Sequence, residues 1–272
     1  MSFNTRLRLI QEKRNSLLCV GLDPDLRKIP KDLLVHDDPV GEFCRQIIAA
    51  TSDLVCAYKL NLAFFEVLGE RSWSTLHGVL ASIPQGVITI GDAKRGDIGN
   101  TAEMYAQSLL GEFKFDASTV NAYMGADSVQ PFAKDPEKGV FVLALTSNPG
   151  AKDFQYMRTK GKPLFEHVVA KAKKWNDNDN VGLVVGATRP VQLKRIRQLV
   201  PSMPLLIPGI GAQGGDVKSA IRHGCDAGGK MAVINVSRSV LYASSGQDFA
   251  DAARSSVASL CNEMNRYRDR YF

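Results

Sequence analysis

Three observations predict an α/β fold, a single (β/α)8 (TIM) barrel over residues 1–272 with a short N-terminal helix. Short apolar runs rich in β-formers recur eight times, stretches with helical spacing separate them, and no shift in composition marks a second domain. Strands alternating with helices build parallel βαβ units. Near-continuous apolar strands suit a sheet covered on both faces. Eight such units in 272 residues favour closure into a barrel; an open doubly wound sheet is the structural alternative.

The elements follow in order. MSFNTRLRLIQEKRN has no apolar h-region and reads as a short amphipathic helix rather than a secretory signal. The expected strands are LLCVGLD (17–23), VCAYKLN (55–61), VITIGDAK (87–94), FDASTVN (115–121), VFVLALTS (140–147), VGLVVGAT (181–188), PLLIPGIG (204–211) and AVINVSR (232–238). Between them FCRQIIAATSDL, TAEMYAQSLL, LFEHVVAKAKKW and GDVKSAIRHG carry helical periodicity. NPGAKDFQYMRTKGK (148–162) is the longest stretch without it, and reads either as a lid or as a plain surface loop. The tail NRYRDRYF reads as a solvated last helical turn.

Composition narrows the function. Lys plus Arg number 34 and Asp plus Glu 28, a net charge of +6. This mild excess suits an anionic small molecule; no basic block or nucleic-acid motif accompanies it, so no nucleic-acid partner is expected. The five cysteines are odd in number and form no C-x-x-C pair, as buried thiols in a reducing, cytoplasmic setting would. No apolar run approaches the ~18 residues of a membrane span, so no membrane partner is expected.

Each expected strand ends in a small or polar group: Asp23, Lys59 with Asn61, Asp92 with Lys94, Asn121, Thr146 with Ser147, Thr188, Gly209 with Gly211, and Ser237 with Arg238. In barrel enzymes these C-terminal ends build the active site. Lys59 and Asp92 stand in or at the end of apolar runs, where an unpaired charge is costly. In GDAKRGDIGNTAEMY (91–105) four charges, Asp92, Lys94, Arg95 and Asp97, fall close together. Asp92 and Lys94 share a strand face if the strand continues. Asn100-Thr101-Ala102-Glu103 reads as an N-cap with a capping box. With Lys59, these residues offer an alternating network of cations and anions, either catalytic or a structural ion cluster at a barrel rim.

PGIGAQGGD (208–216) is a Gly-rich turn into a helix after the seventh strand, and Arg238 follows the eighth. Those loops frequently hold phosphate in barrel enzymes. Backbone N–H groups near Gly211 and the helix N-terminus suit an anion, and arginine binds phosphate in bidentate fashion. His36, His77, His167 and His223 all lie away from strand ends, which argues against histidine acid–base chemistry or a histidine-ligated metal. Ser147 has no histidine partner in sequence and reads as a hydrogen-bonding residue rather than a nucleophile.

DAKRGDIGNTA (92–102) closely resembles the signature of the orotidine 5′-phosphate decarboxylase family. GLDPD (21–25), YKLN (58–61), LTSNPG (145–150), VVGAT (184–188), IPGIGAQGGD (207–216) and NVSR (235–238) match that family in order, over nearly the whole chain. The LTSNPG and NVSR forms resemble its longer bacterial branch. Related sugar-phosphate decarboxylases and aldolases share the Asp-x-Lys-x-x-Asp core but need Mg²⁺ and do not carry a catalytic lysine at the second strand, so Lys59 favours the orotidine family.

The resemblance implies a metal-free, cofactor-free conversion of orotidine 5′-phosphate to UMP. Lys94 would protonate C6 of the pyrimidine, Asp92 would face the substrate carboxylate, and Lys59 would complete the ionic network and touch the ribose. Asp97, with Thr101 beside it, would reach the active site of the other subunit of a homodimer. Asp23 would bind ribose hydroxyls and Ser147 the pyrimidine. Gln213 and Arg238 would bind the phosphate at the turn that contains Gly211. Ser237 departs from the glycine many members carry before the arginine. The alternatives are a Mg²⁺-dependent sugar-phosphate decarboxylase or synthase on the same barrel, and a non-catalytic nucleotide-binding barrel.

Overall fold

The computed structural model describes residues 1–211 and 214–272. Among these, eight parallel strands close a barrel: β1 (Leu18–Leu22), β2 (Ala57–Asn61), β3 (Ile88–Arg95), β4 (Ala117–Val120), β5 (Gly139–Leu145), β6 (Val181–Val185), β7 (Leu205–Pro208) and β8 (Ala232–Val236). Every strand pairs with its sequence neighbours, and β8 closes on β1 with Cys19 opposite Asn235. The ring is therefore closed rather than an open sheet, and each expected apolar run supplies one strand. The strands are short and buried on both faces because helices such as Pro39–Thr51, Ser72–Ser82 and Leu164–Lys174 cover the outside. The helix Phe249–Tyr271 packs between Pro39–Thr51 and Val217–Gly224, and the basic tail forms its last two turns, where Tyr267 stacks on Tyr271 at 6.5 Å.

Side chains alternate in and out along each strand. On β2 the inward series is Ala57, Lys59, Asn61; on β3 it is Ile88, Ile90, Asp92; on β8 it is Val233, Asn235. Each series begins apolar and ends polar, so the barrel interior has an apolar N-terminal half and a charged C-terminal half.

The N-terminal helix, Phe3–Arg14, closes the apolar half. Phe3, Leu7 and Ile10 pack with Cys19, Cys56, Ala57, Ile88 and Phe141. Phe3 meets Phe141 edge-on at 6.0 Å. Gly139 makes this possible, since a Cβ there would lie 2.5 Å from the Phe3 ring. Gln11 fastens the plug: its Nε2 donates to Ala232 O at 2.8 Å, and its Oε1 accepts from Met231 N at 3.1 Å. All five cysteines are buried and free. Burial pushes the Cys56 and Cys225 thiols up to about 12, leaving them protonated and inert. Among the described residues no helix is long and apolar enough to cross a membrane.

One expectation is corrected, and the segment 148–162 carries local structure. The helix after β3 begins at Gly99, with Ile98 at the N-cap and no side-chain cap; Asn100 and Thr101 lie inside its first turn, so the capping box does not form. Gly99 supplies the positive φ of +55° that turns the chain into the helix, a conformation glycine adopts without penalty. The segment 148–162 has structure of its own: a helical turn, Ala151–Phe154, and an antiparallel pairing of Arg158–Thr159 with Lys162–Pro163. Gln155 ties it to the end of β5, accepting from Thr146 N and donating to Thr146 Oγ1, both at 2.8 Å.

Candidate active site

The charged half opens at the C-terminal mouth into a cavity of about 410 Å³ whose walls include Asp23, Lys59, Asp92, Lys94, Ser147 and Arg238. This is within the range of small-ligand sites. The barrel thus brings together six residues drawn from β1, β2, β3, β5 and β8 or the loops after them.

A chain of alternating charge runs along one wall. Asp23 Oδ1 lies 3.5 Å from Lys59 Nζ. Lys59 Nζ lies 2.7 Å from Asp92 Oδ2, and Lys94 Nζ lies 2.6 Å from Asp92 Oδ1. Thr119 Oγ1 donates to Asp92 Oδ1 at 2.9 Å and accepts from Lys94 N at 3.0 Å. The two lysines differ in exposure: the Lys59 side chain is 5% exposed, the Lys94 side chain 47%. Burial disfavours the charge on Lys59, but Asp23 and Asp92 together outweigh it and hold its pKa above the ordinary lysine value. Burial likewise opposes the charge on Asp92; Lys59 and Lys94 outweigh it and hold the carboxyl well below the usual carboxylate range. Lys59 and Asp92 are therefore held as a buried ion pair, flanked by Asp23 and Lys94.

The β3 backbone shapes this array. Gly91 pairs with Ser118 but Arg95 pairs with Val120, so β3 bulges between those points. Lys94 sits in the bulge at φ +49°, a left-handed conformation uncommon for a side-chain-bearing residue. Such strain persists where the surroundings over-determine it; here the Thr119 hydroxyl and the Asp92 carboxylate do so. The bulge also sorts the four charges after Gly91. Asp92 and Lys94 enter the cavity, whereas Arg95 turns outward to Glu66 at 2.5 Å and lies over the Tyr105 ring. Asp97 is half-buried outside the cavity, its Oδ1 accepting from Ile98 N at 2.9 Å, and Thr101 is exposed. Within one chain the fourth charge of the network is Asp23, not Asp97.

The opposite wall is built by close backbone approaches. Ser147 lies against Gly186, where a Cβ would come within 2.9 Å of Ser147 N. Gly209 and Gly211 have φ of +102° and +72°, and Gly209 lines the cavity beside Ile210. Gln213 lies outside the described residues. The helix that follows, Val217–Gly224, does not offer its N-terminus to an anion: Asp216 caps it, accepting from Lys218 N and Ser219 N at 3.3 and 2.9 Å. That carboxylate already satisfies the N–H groups and the dipole there. The exposed Arg238, first residue of the short helix Arg238–Leu241, is the cation at this end of the cavity.

Thr119, Asn148 and Asn235 also line the cavity and were not expected. For Thr119 and Asn235 the signal was strand parity: each stands two residues beyond an apolar inward residue, Ala117 and Val233. Asn121 and Thr188, chosen as strand ends, do not line it. Among the described residues no group of three or more His, Cys, Asp or Glu could hold a metal ion.

A closed parallel barrel with a preorganised Lys–Asp array and an arginine at its C-terminal mouth defines a (β/α)8 enzyme acting on a small anionic substrate. A family model described as "Orotidine 5'-phosphate decarboxylase / HUMPS family" matches residues 16–253, and the chain belongs to that family. It is 46% identical over 275 residues to the orotidine 5′-phosphate decarboxylase of Dehalococcoides mccartyi (strain BAV1), covering all of both chains. Among solved structures it resembles Leishmania donovani OMP decarboxylase, at 41% identity and a TM-score of 0.86, covering 98% of this chain and 99% of that one. It also resembles Leishmania donovani UMP synthase, at 42% identity and a TM-score of 0.89, covering 98% of this chain but only 57% of that longer one.

Proposed function

We propose that this chain decarboxylates orotidine 5′-phosphate to UMP and CO₂, the last step of UMP biosynthesis, by a cofactor-free electrostatic mechanism. The observation that carries the reading is Asp92, a buried carboxylate whose two oxygens are each held by a lysine ammonium, with Lys94 exposed to the cavity that Arg238 also lines.

Breaking the bond from C6 to the carboxylate leaves an electron pair in an in-plane orbital that the pyrimidine π-system cannot delocalise. A fixed cation where that charge develops lowers the barrier, because its orientation is set before reaction. Lys94 supplies this cation and donates its proton to C6; the neutral amine then regains a proton from solvent. Asp92 faces the departing carboxylate, and Lys59, with its charge secured by Asp23 and Asp92, keeps Asp92 ionised and reaches the ribose. Asp23 accepts from ribose hydroxyls, Ser147 contacts the pyrimidine, and Arg238 grips the phosphate with Gln213 and the Gly211 turn. Binding energy from the unreactive phosphate can then be used to order the site.

Asp97 and Thr101 complete the site of a second copy in a homodimer. Supporting this, both lie outside the cavity of their own chain, on a surface where Ile98, Met104, Tyr123 and Met124 are exposed. A cytoplasmic location accords with five free thiols. A Mg²⁺-dependent reaction on sugar phosphates is disfavoured because a metal at Asp92 would have to displace an ammonium group from either oxygen.

The test mixes purified protein with orotidine 5′-phosphate and excess EDTA and follows the loss of substrate ultraviolet absorbance. Rapid conversion to UMP is expected. No conversion, with activity on sugar phosphates restored by Mg²⁺, would reject the reading.

A further inference from the structure

We propose that Tyr242 is a positioning residue that fixes Asp23, and through it Lys59, for the decarboxylation assigned above, on which this inference rests. Tyr242 follows the short helix Arg238–Leu241 at the end of β8. Its ring stacks on Phe43 at 6.0 Å, Phe43 stacks in turn on Phe249 at 5.2 Å, and Lys28 Nζ lies 5.5 Å from the Tyr242 ring centroid. A ring held this way presents its hydroxyl in one place.

That hydroxyl bridges the turn after β1. Tyr242 Oη donates to Asp23 O at 3.0 Å and accepts from Asp25 N at 2.7 Å. Pro24 between them has no N–H, so the phenol supplies a link the local backbone lacks. Burial raises the phenol to about 12, so it remains a donor at neutral pH. The side chain of Asp23 is poorly tethered by comparison. Its Oδ1 is buried with no hydrogen-bond partner among the described residues, and its contact with Lys59 is 3.5 Å. The backbone therefore sets where this carboxylate stands, and Tyr242 holds that backbone. Because Arg238 begins the short helix that Tyr242 follows, Tyr242 joins the phosphate end of the cavity to the Asp23–Lys59 end.

The test is a double-mutant cycle between Tyr242→Phe and Asp23→Ala, read as kcat/KM on orotidine 5′-phosphate, with thermal midpoints for each variant. Tyr242→Phe removes both hydrogen bonds and keeps the stack. Two such bonds predict a loss of about tenfold in the wild-type background. In the Asp23→Ala background the same change should cost less than about twofold, because the group it positions is gone. Phe43→Leu is the stability control: it removes packing from the stack but leaves both hydrogen bonds of the Tyr242 hydroxyl to hold it, so it should lower the thermal midpoint with kcat/KM within about twofold. A full tenfold loss persisting without Asp23, or no loss with it, would overturn the proposal. So would Phe43→Leu and Tyr242→Phe lowering kcat/KM in proportion to lost stability. A wild-type chain with no turnover would reject the decarboxylase reading itself, a result distinct from turnover without coupling.

Discussion

The two halves of the barrel interior are built from the same strands and hold opposite chemistry. At the N-terminal end Phe3, Leu7 and Ile10 fill the bore against Phe141 and Ile88, and glycine at 139 yields space to an aromatic ring. At the C-terminal end the next inward positions are Lys59, Asp92, Thr119 and Asn235, and the bore opens to a cavity. The two halves divide the labour. A dry, close-packed end contributes stability through burial. The charged end contributes little net stability, because desolvating Lys59 and Asp92 offsets much of their attraction. Under the function proposed above, it keeps charges fixed where the substrate would react.

The contrast is sharpest at Lys94. Its exposed ammonium adds little to the fold, so Lys94→Ala should lower kcat by about 10⁴-fold, as expected for losing a proton donor and a fixed charge together, with an unchanged far-ultraviolet spectrum. Near-normal turnover would remove Lys94 from the chemistry. The reverse dissociation is expected at the other end. Phe3→Ala should cost about 3–5 kcal/mol of stability in denaturant titration while kcat of the folded enzyme changes little. A large fall in kcat there would break the division. Arg238→Ala lies between these extremes; losing a charge-assisted phosphate contact should raise KM by about 10- to 100-fold with a smaller change in kcat, measured by initial rates.

The smallest effect concerns pH. The folded pKa of Asp92 is depressed, so its charge contributes stability that is present above the unfolded value of about 3.9 and is lost as pH falls through the folded value. Lys59 is raised, so its contribution is full below about 10.4 and is lost as pH rises through its folded value. Between those limits the network contributes a constant amount. The stability difference between wild type and Asp92→Asn should therefore stay flat from about pH 5 to 9 and shrink below about pH 4. A difference that grows on acidification would contradict the ion network.

Legible in the chain itself were the eight strands and their alternation with helices, because near-continuous apolar runs and helical spacing are local properties. The chain also placed Lys59, Asp92, Lys94, Asp23, Ser147 and Arg238 at strand ends, since charged and polar groups interrupting apolar runs need a reason to be there. Which of those groups meet depended on the fold. Asp23 and Lys59 are neighbours because β1 lies beside β2 with Gly21 opposite Lys59. Arg95 leaves the network because the β3 bulge turns it toward Glu66. The capping box at Asn100 lost to a helix that starts at Gly99, and the anion site imagined at the helix after β7 was already filled by Asp216. Thr119, Asn235 and Tyr242 gained their places through contacts with distant segments. Local pattern reports what each residue prefers; which charges pair across strands depends on register and closure, which no local window contains.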